Sequence, residues 1–276
     1  MILRKNFCIV TPNLNMGKYL EETIQSVISN MLPGDEYYII DGGSSDDSLD
    51  IIKKYEHIIT GWVSEKDKSY SDAVSKGFDK TNLDYLCWIA CGDLLLPDSL
   101  KNAYEIFSDN NPDFIYGDNI YIDNEGLIIQ ISNGRAYNIT ALMYYGNWLP
   151  LQDACFWKRS LYLKVGGLDG DLRYAADYDF FLKMSIAGKS LYAPFVFSAF
   201  RKHSGQISMK HQNSYRNEQK ASRKRVLNFK YNIIDHIKYY LYARIRARIH
   251  TMKYSNSYIL GKSYKYVCSV KTKFYS

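Results

Sequence analysis

The chain has 276 residues, 46% hydrophobic and 23% charged, as in a globular protein with a real core, and its length allows one large domain or a domain with an appendage. No run approaches the ~20 apolar residues of a membrane span, and the opening MILRKNFCIVT lacks the apolar core of a secretory signal, so neither is expected. The formal charge of +6 hides an asymmetry: of the 35 Lys+Arg and 29 Asp+Glu, residues 216–276 hold 15 and 2, so an acidic body carries a basic tail of about +13.

Taken in chain order, the first half alternates strands and helices. NFCIVTP is an apolar strand, and YLEETIQSVISN carries Leu20, Ile24, Val27 and Ile28 at helical spacing. EYYIID is the next strand, followed by the turn GGSSDDS and the helix SLDIIKKY. GWVSE, SDAVSKGF, YLCWIAC and PDSLKNAYEIF continue as strand, helix, strand and helix. Such alternation predicts βαβ units and a parallel sheet. FIYGDNIYID and LIIQIS then read as a hairpin turning at Asn124-Glu125-Gly126. A helix near 137–145 and the strand-like LYAPFVFSAF follow, and past about 210 the composition turns basic and helical.

Five cysteines (Cys8, Cys87, Cys91, Cys155, Cys268) show no paired metal spacing and read as small buried hydrophobes in a reducing compartment. The 26 tyrosines suit ring-shaped polar ligands and interfaces alike. In a parallel sheet, ligands bind beyond the carboxyl ends of the strands. Here those ends carry TPNLN, DGGSSD, SEKD and CGD, so three of four deliver carboxylates to one rim. Like charges gathered there are costly unless cations or hydrogen-bond donors answer them.

These ordered motifs, with VSEKDKSYSDAVSKGF, LQDACFWKRS, GGLD, AADYDFFLK and FRKHSGQIS, make residues 5–210 resemble the family 2 glycosyltransferases, inverting enzymes with a GT-A fold. The resemblance implies an α/β architecture: a GT-A, Rossmann-like, mostly parallel sheet flanked by helices, over residues 1–212, with a basic amphipathic helical extension over 213–276. It implies a nucleotide-sugar donor, most often a UDP-sugar, and Mn²⁺ or Mg²⁺. Thr11 and Pro12 would line the base pocket, Asp41 would accept from a uracil N–H, and Asp72 would contact the nucleoside. Asn15, Gly43, Lys76, Gly92 and Arg201 complete the expected donor set. Without the resemblance, Asp41 opens an Asx turn and Asp72 caps a helix.

The family usually carries two adjacent acids after its fourth strand, the later one a metal ligand. Here the stretch is Cys91-Gly92-Asp93: Asp93 keeps the ligand, and Gly92 replaces the first acid. The competing reading of Asp93 is a cap for the helix at Pro97. His203 is the second expected ligand, with Arg201 and Lys202 reaching the diphosphate. Asp177, opening the helix AADYDFFLK, is the expected base, with Asp179 the runner-up and capping the alternative for Asp177. Two positions along a helix differ by about 200°, so both cannot face one site. Trp148, Gln152, Asp153 and Asp179 are placed on the acceptor side.

From Ile234, apolar residues at 237, 241, 245, 249 and 252 form a helical stripe flanked by basic residues. This stretch is expected to lie on an anionic membrane, or else to pack on the domain. The expected protein is therefore cytoplasmic and peripheral at the inner face of a bacterial plasma membrane. It transfers a sugar to a glycan or glycolipid acceptor in surface polysaccharide synthesis, O-antigen or capsule. No nucleic-acid motif accompanies the charge. The rivals are a nucleotidyltransferase, for which TPNLN is the wrong loop, a degenerate sugar-nucleotide binder, and a membrane scaffold.

Overall fold

The structure is a computed structural model, and it describes residues 6–132, 150–203, 206, 211–227, 262 and 264. The helix expected near 137–145, Trp148 and the amphipathic stretch from Ile234 lie outside the described residues.

The chain begins with a strand buried along its whole length, β1 (Phe7–Asn13). A strand covered on both faces needs apolar residues at successive positions. Phe7 and Ile9 point into one core cluster and Cys8 and Val10 into the other. The first cluster is closed by α1 (Gly17–Ile28), α2 (Ser48–Tyr55) and α4 (Ser99–Asn110), through Leu20, Ile24, Ile52, Leu100 and Phe107. The second is closed by α3 (Tyr70–Phe78), α5 (Arg159–Lys164) and α6 (Ala176–Ala187), through Val74, Phe78, Leu161, Phe180 and Phe181. The result is three layers, helices on both faces of one sheet.

The remaining strands are β2 (Glu36–Asp41), β3 (Gly61–Ser64), β4 (Tyr85–Trp88), β5 (Leu94–Leu95), β6 (Phe114–Ile122), β7 (Ile128–Ser132), β8 (Cys155–Lys158) and β9 (Ser190–Arg201). Their order is β3-β2-β1-β4-β8-β6-β9-β5, with β7 on β6. The four strands β3, β2, β1 and β4 are parallel, as the alternation predicts. Beyond β4 the sheet is mixed. β8 runs antiparallel to both of its neighbours, and β6 pairs parallel with β9. The hairpin is present, with Asp123 Oδ1 accepting from the amides of Glu125 and Leu127 across the turn.

This topology fixes what shares an edge. Asn13 of β1 pairs with Asp41 of β2, and Asp41 with Ser64 of β3. Because β8 is reversed, its beginning meets the end of β4, which brings the 3₁₀ turn Gln152–Ala154 to that rim. β6 and β9 run in the sense of β4, so β9 ends there too, at Arg201. α6 leads down to the start of β9, and its N-terminus with Asp177 therefore sits at the same rim.

Gly77 allows α3 to lie against β1, since a Cβ there would meet Val10 Cγ1 at 2.5 Å. A last described helix, α7 (Gln212–Leu227), starts at the expected end of the domain and yet docks on α6. Ser222 Oγ donates to Asp179 Oδ1 at 2.6 Å and Arg225 Nη2 does so at 2.8 Å. Among the described residues no helix is long and apolar enough to cross a membrane.

Candidate active site

A cavity of about 660 Å³ opens at this rim, and five of the expected residues line it: Pro12, Asp93, Gln152, Asp177 and His203. Asp93 is held by its backbone. Thr23 of α1, fully buried, donates its hydroxyl to the Asp93 carbonyl and accepts from the Gly92 amide, both at 3.0 Å. The turn requires Gly92 at φ +103°, where a side chain is strained although space exists. That conformation is a physical reason for the missing first acid.

The Asp93 carboxylate does not cap α4. The capping position of that helix is Asp98, and the Ser99 amide donates to Asn30 Oδ1 instead. Asp93 Oδ1 accepts the Arg201 backbone N–H at 3.0 Å. Burial, and then the neighbouring buried carboxylate Asp153, push Asp93 well above the usual carboxylate range, while bonds from Arg201 and Gln152 work against this. A buried acid facing a cavity with a second acid behind it is the environment that a hard divalent cation relieves. His203, half-buried, lines the same cavity, its ring 5.9 Å from that of Tyr19. Among the described residues no group of three or more His, Cys, Asp or Glu converges. Asp93 and His203 are two cavity residues whose chemistry suits such a cation.

Asp177, at the first turn of α6, lines the same cavity. Its Oδ1 accepts the Tyr178 amide at 2.7 Å and the Tyr215 hydroxyl at 3.5 Å. Burial pushes its pKa up to about 6, against the pull of those bonds. Between the two acids lies Tyr70. Its hydroxyl donates to Gln152 Oε1 at 3.2 Å, and burial followed by the charges of Asp93 and Asp177 raises its pKa well above the ordinary value. The same Gln152 oxygen accepts from Trp88 Nε1 at 2.8 Å, which fixes the amide's orientation.

The other expected residues sit elsewhere. Asp41 is fully buried, and its carboxylate accepts five hydrogen bonds, from Asn13, Gly43, Ser44 (twice) and Ser64. Burial works to raise its pKa, but the bonds from Ser44, Ser64 and Asn13 hold it below the usual value. It shapes the turn after β2, in which Gly43 has φ +82° and Asn15 Oδ1 accepts the Ser45 amide at 2.8 Å. Thr11 is buried with its hydroxyl on Tyr37. Asp72 is not the cap of α3. Ser69 accepts the Asp72 amide, and Asp72 Oδ2 reaches back to the Lys68 amide at 3.0 Å. Lys76 is gathered by Asp67 at 2.7 Å, Glu65 at 2.8 Å and Asp72 at 3.4 Å.

Four expected placements are corrected. Arg201 does not extend toward a diphosphate: it is 2% exposed, and its guanidinium donates to the carbonyls of Gly92, Asp123 and Asn124 and pairs with Glu22. Lys202 likewise turns to Gln130 and the Tyr121 ring. Asp153 is fully buried and accepts from Ser198 Oγ at 2.7 Å, because the 3₁₀ turn sends it inward while Gln152 faces the cavity. Asp179 is fully buried between α6 and α7, paired with Arg225 and Lys183, as the helical phase relative to Asp177 requires.

The sequence reading missed Tyr70, Tyr174, Tyr215 and Gln219 on the cavity wall. Tyrosine abundance was the one available signal for three of them.

The family model for glycosyl transferase family 2 matches residues 8–164. A PGL/p-HBAD biosynthesis glycosyltransferase of Mycobacterium tuberculosis is 27% identical over 184 residues, 63% of this chain and 67% of the relative. The chondroitin synthase of Escherichia coli is 26% identical over 183 residues, 65% of this chain and 26% of that much longer protein. Among solved structures, S. aureus TarS 1-349 in complex with UDP-GlcNAc superimposes with a TM-score of 0.57 at 15% identity, over 75% of this chain and 61% of that one. The mannosyltransferase PcManGT from Pyrobaculum calidifontis, in complex with GDP-Man and Mn²⁺, does so with a TM-score of 0.62 at 13% identity, over 87% and 70%. These likenesses establish a GT-A fold. With the family model spanning more than half of its length, the chain belongs to glycosyl transferase family 2.

Proposed function

We propose that the protein is an inverting transferase that moves a sugar from a nucleotide-sugar, a UDP-sugar by preference, to a hydroxyl of a glycan or lipid-linked glycan in surface polysaccharide synthesis. The observation that carries this reading is the pair of under-answered carboxylates, Asp93 and Asp177, on one cavity. Mn²⁺ or Mg²⁺ would be held by Asp93 and His203, and when bound it supplies positive charge to the departing diphosphate. The nucleoside would lie against Pro12 and the Asp41 turn, with Asn15, Gly43, Asp72 and Lys76 around it. There the Ser44 and Ser64 hydroxyls are the groups a base N–H would displace from Asp41.

Asp177, ionised, takes the proton of the acceptor hydroxyl as that oxygen attacks the anomeric carbon from the face opposite the diphosphate. The bond from that carbon to the diphosphate oxygen breaks, and the configuration inverts through an oxocarbenium-like transition state. A carboxyl with a pKa of about 6 is matched to that task near neutral pH. Gln152, locked by Trp88 and Tyr70, and the aromatic wall of Tyr174 and Tyr215 form the acceptor side. A PGL/p-HBAD glycosyltransferase and a chondroitin synthase among the relatives support a surface-glycan acceptor. The basic segment beyond α7 would rest on the cytoplasmic face of an anionic membrane.

The test is release of nucleoside diphosphate from a panel of UDP- and GDP-sugars with Mn²⁺ and a membrane glycolipid extract, with the product anomer read by NMR. Extract-dependent release that vanishes in Asp177→Asn supports the reading. Unchanged release in that variant, or a product with retained configuration, would sink it.

A further inference from the structure

The helix that starts at the expected domain boundary is tied to the catalytic rim by one side chain. Glu218 of α7 accepts three successive backbone N–H groups that lead into α6: Tyr174 and Ala175 on Oε2, both at 2.8 Å, and Arg173 on Oε1 at 3.3 Å. The capping residue of α6, Ala175, has no side chain able to close that entry. A carboxylate supplied from 43 residues away takes its place. Two residues further on is Asp177, whose Oδ1 also meets the Tyr215 hydroxyl from the same face of α7. Arg173, Tyr174, Asp177, Tyr215 and Gln219 all line the cavity.

We infer that Glu218 is a positioning residue for the Asp177 carboxylate, and that α7 is a wall of the active site and not the start of a separate tail. This rests on the reading of Asp177 as base. The three charge-assisted bonds fix where α6 begins, and with it the direction in which Asp177 projects. Among the described residues, the titratable and charged groups that act on Asp177 or line the cavity with it include Tyr215 and Glu218 from α7, Tyr178 on α6, Arg173 from the segment before it, Tyr70 from α3, and Asp93 and His203. Glu218 acts on it as a like charge and Tyr215 as a donor, so removing each should have opposite consequences.

The experiment uses the full chain labelled with ¹³C at the aspartate carboxyls, with the Asp177 resonance identified by its loss in Asp177→Asn. Its titration is followed in wild type, Glu218→Gln and Tyr215→Phe, alongside UDP binding in Mn²⁺ as a control on the proposed donor site. The expected result is a wild-type midpoint raised to about 6, which falls in Glu218→Gln and rises further in Tyr215→Phe, with UDP affinity unchanged in both. In the turnover assay, kcat in Glu218→Gln should fall about 10- to 100-fold with the donor KM unchanged. Midpoints that stay in place, or a parallel loss of UDP affinity, would overturn the inference, the latter by making Glu218 a general fold contact. Failure of Asp177→Asn to abolish turnover would instead remove the underlying reading, whatever the midpoints do.

Discussion

Two sets of aspartates stand on one sheet edge under opposite conditions. Asp41 and Asp72 accept backbone and hydroxyl hydrogen bonds and are held below the ordinary carboxylate pKa. Asp93 and Asp177 face the cavity, accept few bonds, and are pushed above it by burial. The first set is occupied in building loops. In the second, burial disfavours the charged form and few donors answer it, which is the mark of groups awaiting a ligand or a proton. The difference lies in donors: Asp41 has five, whereas Asp93 has the Arg201 amide and the pull of Gln152, with Asp153 behind it.

Substitutions can break or sharpen that contrast. The largest effect is expected from Asp177→Asn, with kcat reduced about 10²- to 10⁴-fold and donor binding kept, measured by diphosphate release. In wild type, log kcat/KM should decline as pH falls through about 6, because the base must be ionised. A flat profile down to pH 5 would mean that another group takes the proton.

Asp93→Asn should cost about 10²- to 10³-fold in activity and yet raise the melting temperature at neutral pH. A carboxyl whose folded pKa is raised destabilises the fold as pH climbs from its unfolded value, about 3.9, through the folded one. The advantage of asparagine should therefore shrink toward pH 4 and vanish below it. Calorimetric melts across pH 3–8 test this, and a variant that melts lower at pH 7 would contradict the buried-charge reading.

Asp41→Asn should do the reverse, losing about 2 kcal/mol near neutral pH as charge-assisted bonds become neutral ones. Its folded pKa is depressed, so the wild-type advantage is present above about pH 4 and disappears as pH falls through the folded value. Urea denaturation at pH 7 and pH 3 separates the two outcomes. The smallest change, Gly92→Ala, should cost about 1–2 kcal/mol through its positive φ alone. A neutral result would show that the turn can relax.

What could be read from sequence was local. The four parallel strands announce themselves by apolar runs between turn signals, and Asp93, Gln152, Asp177 and His203 follow from position within short motifs. Long-range placement was not legible. Arg201 sits in a basic tripeptide that looks free to bind phosphate, but the carbonyls that consume its guanidinium come from the 92 turn and the hairpin at 123–124. Asp153 differs from Gln152 by one position, and a single 3₁₀ turn decides which of the two is buried. Glu218 lies in a stretch whose composition reads as a basic tail, and its bonds to residues 173–175 exist only once α7 folds back. β8, four residues long, carries too short a pattern to reveal that it separates β4 from β6.

The most direct measurement is a calorimetric titration of UDP into wild type, Asp93→Ala and Asp177→Asn, each with and without Mn²⁺. Binding that requires the metal, is lost in Asp93→Ala and persists in Asp177→Asn is the predicted result. UDP binding of equal strength without metal and in Asp93→Ala would contradict the assignment of Asp93 as the ligand of a donor-bound cation.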